Sequence, residues 1–354
     1  MSTVARFEIR YSRFLDERGR VVSEPLPEFA RDAHNLVALY RWMVLMRAYD
    51  AKAIALQRTG QIGTFASLLG QEAVQAAVGS AMRPEDVFLG TYRENGVQLI
   101  RGVTLEEFFR YWGGDERGSC YAVPRRDFPI CITIAAHVTH AAGVAYAMKL
   151  KGEKRVAVCA LGDGATSKGD FYEGINAAGV WKLPVVFVVA NNQWAISVPR
   201  RLQSAAQTLA QKAIAAGFEG RQVDGNDVIA VRHAMDEALA KARSGGGPTL
   251  IEALTYRLSD HTTADDASRY RSPDEVAEAW KHEPVARLRA YLTAAGAWDK
   301  AREDRLLREC NEQVQAAAQA YLDAPPPGPG QMFDHLYATL PAALQKQRAA
   351  ALGE

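Results

Sequence analysis

The feature that most constrains this sequence is a Gly-Asp-Gly run, Gly162 to Gly164, separated by 26 residues from the pair Asn191-Asn192. An apolar run leads directly into each of them, residues 156–161 before the glycine and residues 184–190 before the asparagines. The amphipathic segment 170–180 between them suits a crossover helix, so the two runs are predicted to be neighbouring parallel strands. A carboxylate would then stand at the end of one strand and amides at the end of the next.

Those strand ends have the composition of a phosphate and metal site. In open α/β sheets, ligands bind at the carboxyl ends of the strands. The glycines would admit a diphosphate near a helix N-terminus. Asp163 and Asn192 carry the hard oxygen ligands that Mg²⁺ prefers, and phosphate oxygens and water would complete its coordination. The sequence therefore predicts an α/β fold whose mostly parallel sheet, flanked by helices, presents a Mg²⁺-diphosphate site at one edge.

A dinucleotide-binding unit also begins with a strand, a Gly-x-Gly run and a helix. That fingerprint needs a small residue three positions after the second glycine and an acid about 20 residues further on. Here position 167 is Ser, the next glycine is Gly169, and Asn191-Asn192 occupies the tip of the second run. These residues favour a diphosphate-metal site over a nicotinamide site. No G-x4-G-K-[ST] run occurs, which excludes a Walker-type phosphate loop.

The residues around the motif, GDGATSKGDFYEGINAAGVWKLPVVFVVANNQWAISVP, resemble the α subunit of thiamine-diphosphate-dependent 2-oxoacid dehydrogenases, the first components of the pyruvate and branched-chain complexes. In that family the GDG-x26-NN pattern is the thiamine-diphosphate motif. The resemblance extends from roughly residue 36 to residue 289 and includes GQEAV at 70–74, TYRENGV at 91–97, VDGNDV at 223–228 and HTTADDASRYRS at 261–272. It implies the thiamine-diphosphate-binding fold.

The resemblance also implies a set of site residues. Contacts to thiamine diphosphate are expected from Tyr92, Arg93, Ile134, Gly162, Asp163, Gly164, Ala165, Asn192 and His261. The Mg²⁺ ligands implied are the side chains of Asp163 and Asn192 and the backbone carbonyl of Trp194.

Three of the implied roles have alternatives in the residues themselves. Arg93 would clamp the diphosphate, but it could form a surface ion pair with Glu94. Ile134 would wedge beneath the thiazolium ring and hold the bent cofactor conformation, or it packs in a core. His261 would be the catalytic residue for decarboxylation and acyl transfer, or a solvated loop histidine. Phe65 is a further candidate for the wall of the acyl pocket. The residues expected to order the His261 loop are Arg257, Asp265, Asp266, Tyr270 and Arg271.

The chain departs from its relatives at several positions. Ala136-His137 stands where some relatives carry Thr-Gln ligands for a monovalent cation, and Ser119-Cys120-Tyr121 replaces a Gly-Ser-His run. Ala190 replaces an Arg or Glu, and Thr262 stands where some eukaryotic relatives carry a phosphorylated Ser. No cation site and no phosphorylation are predicted, and the residue that replaces the missing histidine at Tyr121 is left open.

The expected partners follow from the resemblance. The sequence holds one diphosphate-binding unit, so a separate β subunit should supply the glutamate that protonates the cofactor pyrimidine, in an α2β2 heterotetramer. The implied reaction is oxidative decarboxylation of a small 2-oxoacid with reductive acylation of a lipoyl domain of a dihydrolipoyl acyltransferase. Pyruvate is the first choice, because LPEFARD and GVWKLP are most similar to bacterial pyruvate-type subunits. Branched-chain 2-oxoacids such as 3-methyl-2-oxobutanoate are the alternative. Acetoin, a nicotinamide-dependent dehydrogenase and a non-catalytic subunit are more remote.

Composition sets few further limits. The net charge of +1 gives no reason to expect nucleic acid or membrane binding, and no apolar run reaches the length of a membrane span. The four cysteines show no metal spacing, as expected in a reducing cytoplasm. A mitochondrial presequence is the alternative to a bacterial cytoplasmic protein. It is disfavoured because Glu8 interrupts the basic N-terminus, where Phe7, Ile9 and Tyr11 alternate as in a strand.

Three regions are predicted along the chain: an extended N-terminal arm at 1–31, the thiamine-diphosphate-binding α/β domain at 32–290, and a helical C-terminal extension at 291–354 with a Pro-rich break at 324–330. Pro25 and Pro27 are expected to keep the arm free of helix. Helices are predicted at 32–59, 71–82, 135–150, 208–216, 228–243 and 283–323, and further strands at 87–89 and 248–257.

Overall fold

A computed structural model describes residues 1–124, 126–334 and 337–354. Its centre is a six-stranded sheet in the order β1-β7-β8-β4-β3-β2, and every pairing in it is parallel. A separate two-stranded antiparallel hairpin, β5-β6, follows β4. The strands are β1 (Arg10–Ser12), β2 (Val87–Leu89), β3 (Ala157–Gly162), β4 (Val185–Asn191), β5 (Trp194–Ala195), β6 (Val198–Pro199), β7 (Glu219–Asp224) and β8 (Thr249–Leu254).

Helices surround the sheet. They are α1 (Glu28–Arg31), α2 (Ala33–Arg58), α3 (Glu72–Ala81), α4 (Asn95–Arg101), α5 (Leu105–Trp112), α6 (Ala136–Leu150), α7 (Gly169–Val180), α8 (Arg200–Gln203), α9 (Lys212–Ala215), α10 (Val228–Arg243), α11 (Pro273–Trp280), α12 (Pro284–Ala294), α13 (Lys300–Asp323), α14 (Gln331–Asp334) and α15 (Ala342–Leu352). In the described part of the chain, no helix combines the length and apolar character needed to cross a membrane.

Two apolar cores lie on opposite faces of the sheet. Val158 and Ala160 of β3 point into the core that includes α2, α3, α10, α12 and α13. Cys159 and Leu161 point into the core that includes α6 and α7. Successive side chains of a strand point to opposite faces, so a strand covered on both sides reads as a continuous apolar run. This is why residues 156–161 and 184–190 lack the polar alternation of a half-exposed strand.

The predicted α/β fold with a mostly parallel sheet is confirmed. β3 and β4 are parallel neighbours, and Gly162 pairs with Ala190 at the edge where both strands end. The predicted crossover is α7. The ends of several helices also follow the local sequence: Thr104 and Glu107 form a reciprocal capping box before α5, and the Ser272 side chain caps α11.

Some local predictions were wrong. The helix predicted at 208–216 is only the short α9, and the helix predicted at 283–323 is interrupted between α12 and α13, where Gly296 has a φ of +69°. Strand β7 was not predicted, because its polar residues give it no apolar pattern and it is stabilised by pairing with β8. Residues 28–31 form α1 directly after Pro27, a position where proline is compatible with a helix start.

The predicted region bounds, 31/32 and 290/291, stay predictions. Residues 10–12 of the predicted arm form the edge strand β1 and pair with β7, so the arm contributes to the sheet. The predicted C-terminal extension contains α12 residues from 291 onward, α13, α14 and α15. Residues 335 and 336 of that extension lie outside the described residues.

Candidate cofactor site and active site

Asp163 lies immediately after β3, at the carboxyl edge of the sheet. It begins a 3-10 turn, Asp163–Ser167, and only 2% of its surface is exposed. Its Oδ2 accepts a hydrogen bond from Gln203 Nε2 at 2.9 Å. Burial raises the pKa of the Asp163 carboxyl, although the Gln203 hydrogen bond opposes that shift. A buried carboxylate without a cationic partner is stabilised by a bound metal ion, so this environment suits a Mg²⁺ ligand.

Asn192 and Trp194 follow β4 and lie at the same edge. Asn192 is buried, and its Oδ1 accepts a hydrogen bond from the Trp194 backbone N–H at 3.2 Å. The Trp194 carbonyl accepts one from Arg257 Nη1, also at 3.2 Å. In the described part of the chain, no group of three or more His, Cys, Asp or Glu side chains could hold a metal. One carboxylate, one amide oxygen and one carbonyl are nevertheless the donor types that Mg²⁺ accepts alongside phosphate oxygens.

The two glycines of the motif differ in what surrounds them. A Cβ built on Gly164 would lie 2.6 Å from the Cβ of Ala195, so the turn packs against the β5-β6 hairpin too closely for any side chain. A Cβ on Gly162 would meet nothing within 4 Å, which leaves room for a ligand beside the backbone. Ala165 is buried in the same turn. The turn therefore fits a phosphate group at the start of α7.

Arg93 is buried and is not a surface residue. Its guanidinium donates to the Ser67 carbonyl through Nη1 and to the His261 carbonyl through Nη2 at 2.9 Å. Glu94 instead accepts hydrogen bonds from the N–H and hydroxyl of Thr91, both at 2.6 Å. The alternative of a surface ion pair between Arg93 and Glu94 is therefore wrong.

His261 lies between two guanidinium groups. Its Nδ1 is 3.2 Å from Arg93 Nη2 and 3.4 Å from Arg257 Nη1. Both groups can only donate, so Nδ1 must accept and the ring proton of the neutral imidazole is on Nε2. Burial and the two nearby guanidinium charges lower the pKa of His261 to about 4. The ring of Tyr92 meets the imidazole edge-on at 6.0 Å, which places a second predicted site residue beside it.

Arg257 connects the metal-ligand hairpin with the loop that carries His261. It is fully buried and donates to the Ile196 carbonyl and the Tyr270 hydroxyl, both at 2.9 Å. The Tyr270 hydroxyl donates to Asp265, which also accepts the His261 N–H at 2.9 Å. Arg271 donates to the carbonyls of Arg257 and Ser259. Asp266, the remaining residue expected to order this loop, caps the short turn Ala267–Arg269 within it.

Ile134 and Phe65 have opposite exposures. Ile134 keeps 38% of its surface exposed, so the alternative of plain core packing is wrong for the chain by itself. Phe65 has no exposed surface, and its ring packs against Trp112 and Tyr49. The Phe65 backbone N–H donates to the Thr263 hydroxyl at 3.0 Å, and the Phe65 carbonyl accepts from the Thr263 N–H at 2.8 Å. Phe65 thus fixes the His261 loop through its backbone, and its role in an acyl pocket stays a prediction.

Three residues near the site were not identified from the sequence as functional: Asp50, Lys212 and Gln203. Asp50 accepts hydrogen bonds from the Ser67 hydroxyl at 2.6 Å and from the Leu68 N–H at 2.7 Å, and so fixes the segment whose carbonyl binds Arg93. An acidic residue in the apolar stripe of α2 was the available signal. Lys212 and Gln203 belong to no apolar pattern or motif, so no pattern indicates a role for them.

Burial raises the pKa of Asp50 to about 6. Because the folded-state pKa lies above the unfolded value, the unfolded chain releases this proton first as pH rises, and stability falls between about pH 4 and about pH 6. Asp50→Asn should abolish this contribution. Between about pH 4.5 and about pH 7, the unfolding free energy of the wild type should therefore fall by about 2 kcal/mol relative to that of the variant. Urea unfolding at both pH values measures it; a constant difference would contradict it.

Asp163→Asn should raise the dissociation constant for thiamine diphosphate with Mg²⁺ by about 100-fold or more. The substitution preserves shape but removes the charge that balances a dication against phosphate oxygens. Calorimetric titration measures the constant, and Asp170→Asn in the first turn of α7 is the matched control. Equal affinities for the wild type and Asp163→Asn would remove Asp163 from the metal site.

Comparison with known proteins agrees with this geometry. Residues 40–330 match the dehydrogenase E1 component family. The pyruvate dehydrogenase E1 component subunit alpha of Acholeplasma laidlawii is 41% identical over 338 residues, which cover 94% of this chain and 96% of that protein. The proteins of the same name from Staphylococcus aureus and Staphylococcus epidermidis are 40% identical over 346 residues, covering 98% of this chain and 93% of theirs. The chain therefore belongs to the dehydrogenase E1 component family.

Proposed function

We propose that this chain is the α subunit of a pyruvate dehydrogenase. With its β subunit it catalyses the thiamine-diphosphate-dependent oxidative decarboxylation of pyruvate and the reductive acylation of a lipoyl domain. The observation that carries the proposal is one connected set of contacts at the carboxyl edge of the sheet. It runs from Asn192 and Trp194 through Arg257 to His261 and Arg93. Asp163 lies at the same edge, at the end of the neighbouring strand β3.

The cofactor site is proposed as follows. Asp163, Asn192 and the Trp194 carbonyl would hold Mg²⁺, and Arg93 with Tyr92 would bind the diphosphate beside the Gly162–Gly164 turn, with Ala165 behind it. Ile134 would contact the thiazolium ring. When bound, thiamine diphosphate supplies the thiazolium that stabilises the carbanion left by decarboxylation. The donor types at the metal position and the open space at Gly162 support this assignment.

His261 would act on the substrate through Nε2. Its Nδ1 faces the two guanidinium groups, so Nε2–H is the ring position left to donate a hydrogen bond to a substrate oxygen. A pKa of about 4 keeps the imidazole neutral at physiological pH. The Tyr270–Asp265 pair holds the loop backbone, so the ring is oriented before substrate arrives.

The proposed partners are a β subunit in an α2β2 heterotetramer and the lipoyl domain of a dihydrolipoyl acyltransferase. Large aliphatic side chains near the site residues in sequence support a partner surface, because clustered exposed apolar residues commonly mark interfaces. The exposed ones are Ile132, Ile134, Ile196, Val198 and Leu202. No nucleic-acid or membrane partner is proposed. The bacterial relatives support a cytoplasmic enzyme.

The substrate is tested by reconstituting the chain with its β subunit and measuring kcat/KM with an artificial electron acceptor. The proteins compared above carry the name pyruvate dehydrogenase, so pyruvate should exceed 3-methyl-2-oxobutanoate by at least about tenfold, the discrimination expected from a few methylene groups. Acetoin is the third substrate to include. Preference for 3-methyl-2-oxobutanoate would reassign the enzyme to branched-chain acids. Calorimetry with NAD in place of thiamine diphosphate tests the nicotinamide alternative, for which no binding is expected.

A further inference from the structure

We propose that Gln203 is a positioning residue that orients the Asp163 carboxylate for the metal ion, an inference that rests on the proposed function. Within the described residues, Gln203 is the side chain that donates to this carboxylate, through Nε2 to Oδ2 at 2.9 Å. The same amide nitrogen donates its second proton to the Val198 carbonyl at 3.2 Å. The amide is therefore anchored to β6 while it holds Asp163.

This contact orients the carboxylate through one of its two oxygens. Oδ2 accepts from Gln203, whereas Oδ1 has no side-chain donor in the described part of the chain, and the backbone of Asp163 and Gly164 also stabilises the carboxylate. A metal-binding carboxylate that is itself hydrogen-bonded has a fixed orientation, and loss of such a partner commonly lowers metal affinity by about 10- to 100-fold. Gln203 thus has the place and chemistry of an outer-shell partner.

The backbone of the turn is held by other residues. Thr166 Oγ1 donates to the Asp163 carbonyl at 2.8 Å. The buried ammonium of Lys212 donates to the Thr166 carbonyl at 2.6 Å and to its hydroxyl at 3.0 Å. Lys212 also lies over the ring of Tyr172 at 5.2 Å. Removing the Gln203 amide should therefore release the Asp163 carboxylate while the turn keeps its backbone conformation.

The test is Gln203→Leu, with Gln207→Leu as the matched control on the same segment, where the side chain makes no hydrogen bond within the described residues. Calorimetry measures Mg²⁺ binding at saturating thiamine diphosphate, and steady-state kinetics of the α/β enzyme follow at increasing Mg²⁺. In Gln203→Leu the Mg²⁺ dissociation constant should rise about 10- to 100-fold, and kcat at saturating Mg²⁺ should stay within about twofold of wild type. Gln207→Leu should match wild type in both.

Gln203→Met provides a second variant of similar length, which loses the donor without adding charge and should weaken Mg²⁺ binding in the same direction. The melting temperature of each metal-free variant separates a folding defect from a positioning effect, because positioning predicts wild-type values. A Mg²⁺ dissociation constant within about twofold of wild type, or a lower one, in both variants would overturn the proposal. Failure of the proposed function itself is distinguishable, since the wild type would then bind no thiamine diphosphate with Mg²⁺.

Discussion

Purified without a partner, this chain should show no turnover of pyruvate, and activity should appear when the β subunit is added. The described chain contains one six-stranded parallel sheet, and the Gly-Asp-Gly turn lies at its carboxyl edge. The family resemblance assigns the carboxylate that acts on the cofactor pyrimidine to a second polypeptide. The exposure of Ile134, the predicted thiazolium contact, agrees with a site that a partner completes, since 38% of its surface is open in the chain alone.

The assay uses pyruvate, thiamine diphosphate, Mg²⁺ and an artificial electron acceptor, first with the α chain, then with the β chain, then with both. Activity should rise by more than about 10³-fold on mixing, because correct alignment of reacting groups contributes several orders of magnitude to a rate. A mixture of β with Asp163→Asn, at limiting cofactor, controls for activity carried by β alone. Turnover by the α chain without β, at a rate near that of the mixture, would contradict the two-chain site.

The parts of the fold predicted correctly are those whose determinants are local. Strands β3 and β4 were predicted because both faces are covered, which makes their residues uniformly apolar. Strand β7 was missed because its polar residues give no such pattern and its pairing partner β8 lies more than 20 residues further along the chain. The interruption at Gly296 is also local, because a glycine with a positive φ commonly ends a helix, but helical periodicity does not reveal it.

The residues of the candidate site also differ in whether local sequence patterns indicate them. The motif alone indicated Asp163 and Asn192. Each follows an apolar strand, and the carboxyl ends of neighbouring parallel strands lie side by side. The contact between Arg93 and His261 joins residues 168 positions apart, so periodicity could not predict it. Asp50 and Gln203 are single polar residues that acquire a role only through tertiary contacts. Sequence patterns therefore identified first the residues expected to bind the cofactor, and the structure identified those that orient them.

His261→Ala should lower the rate of acyl transfer to a lipoyl domain by about 10²- to 10³-fold, the range for loss of one hydrogen-bond donor to an oxygen on which charge develops. The affinity for thiamine diphosphate should stay within about tenfold of wild type, because only one nearby imidazole is lost and the other groups that bind the cofactor remain. The variant keeps the position 261 carbonyl that accepts from Arg93 Nη2, and the Ser67 carbonyl still accepts from Nη1. Single-turnover acylation and direct cofactor binding are measured on the same α/β preparation.

The matched control is His282→Ala, which removes a half-buried histidine whose Nε2 lies 3.5 Å from Glu278 Oε1. It should match wild type. The pH dependence tests whether the neutral ring is required: His261 is neutral above its pKa of about 4, so any loss of wild-type acylation on acidification that reports this group should be absent in His261→Ala. An acylation rate within about threefold of wild type would leave His261 as a loop residue that merely supports Arg93, and the groups acting on substrate would then have to come from the β subunit.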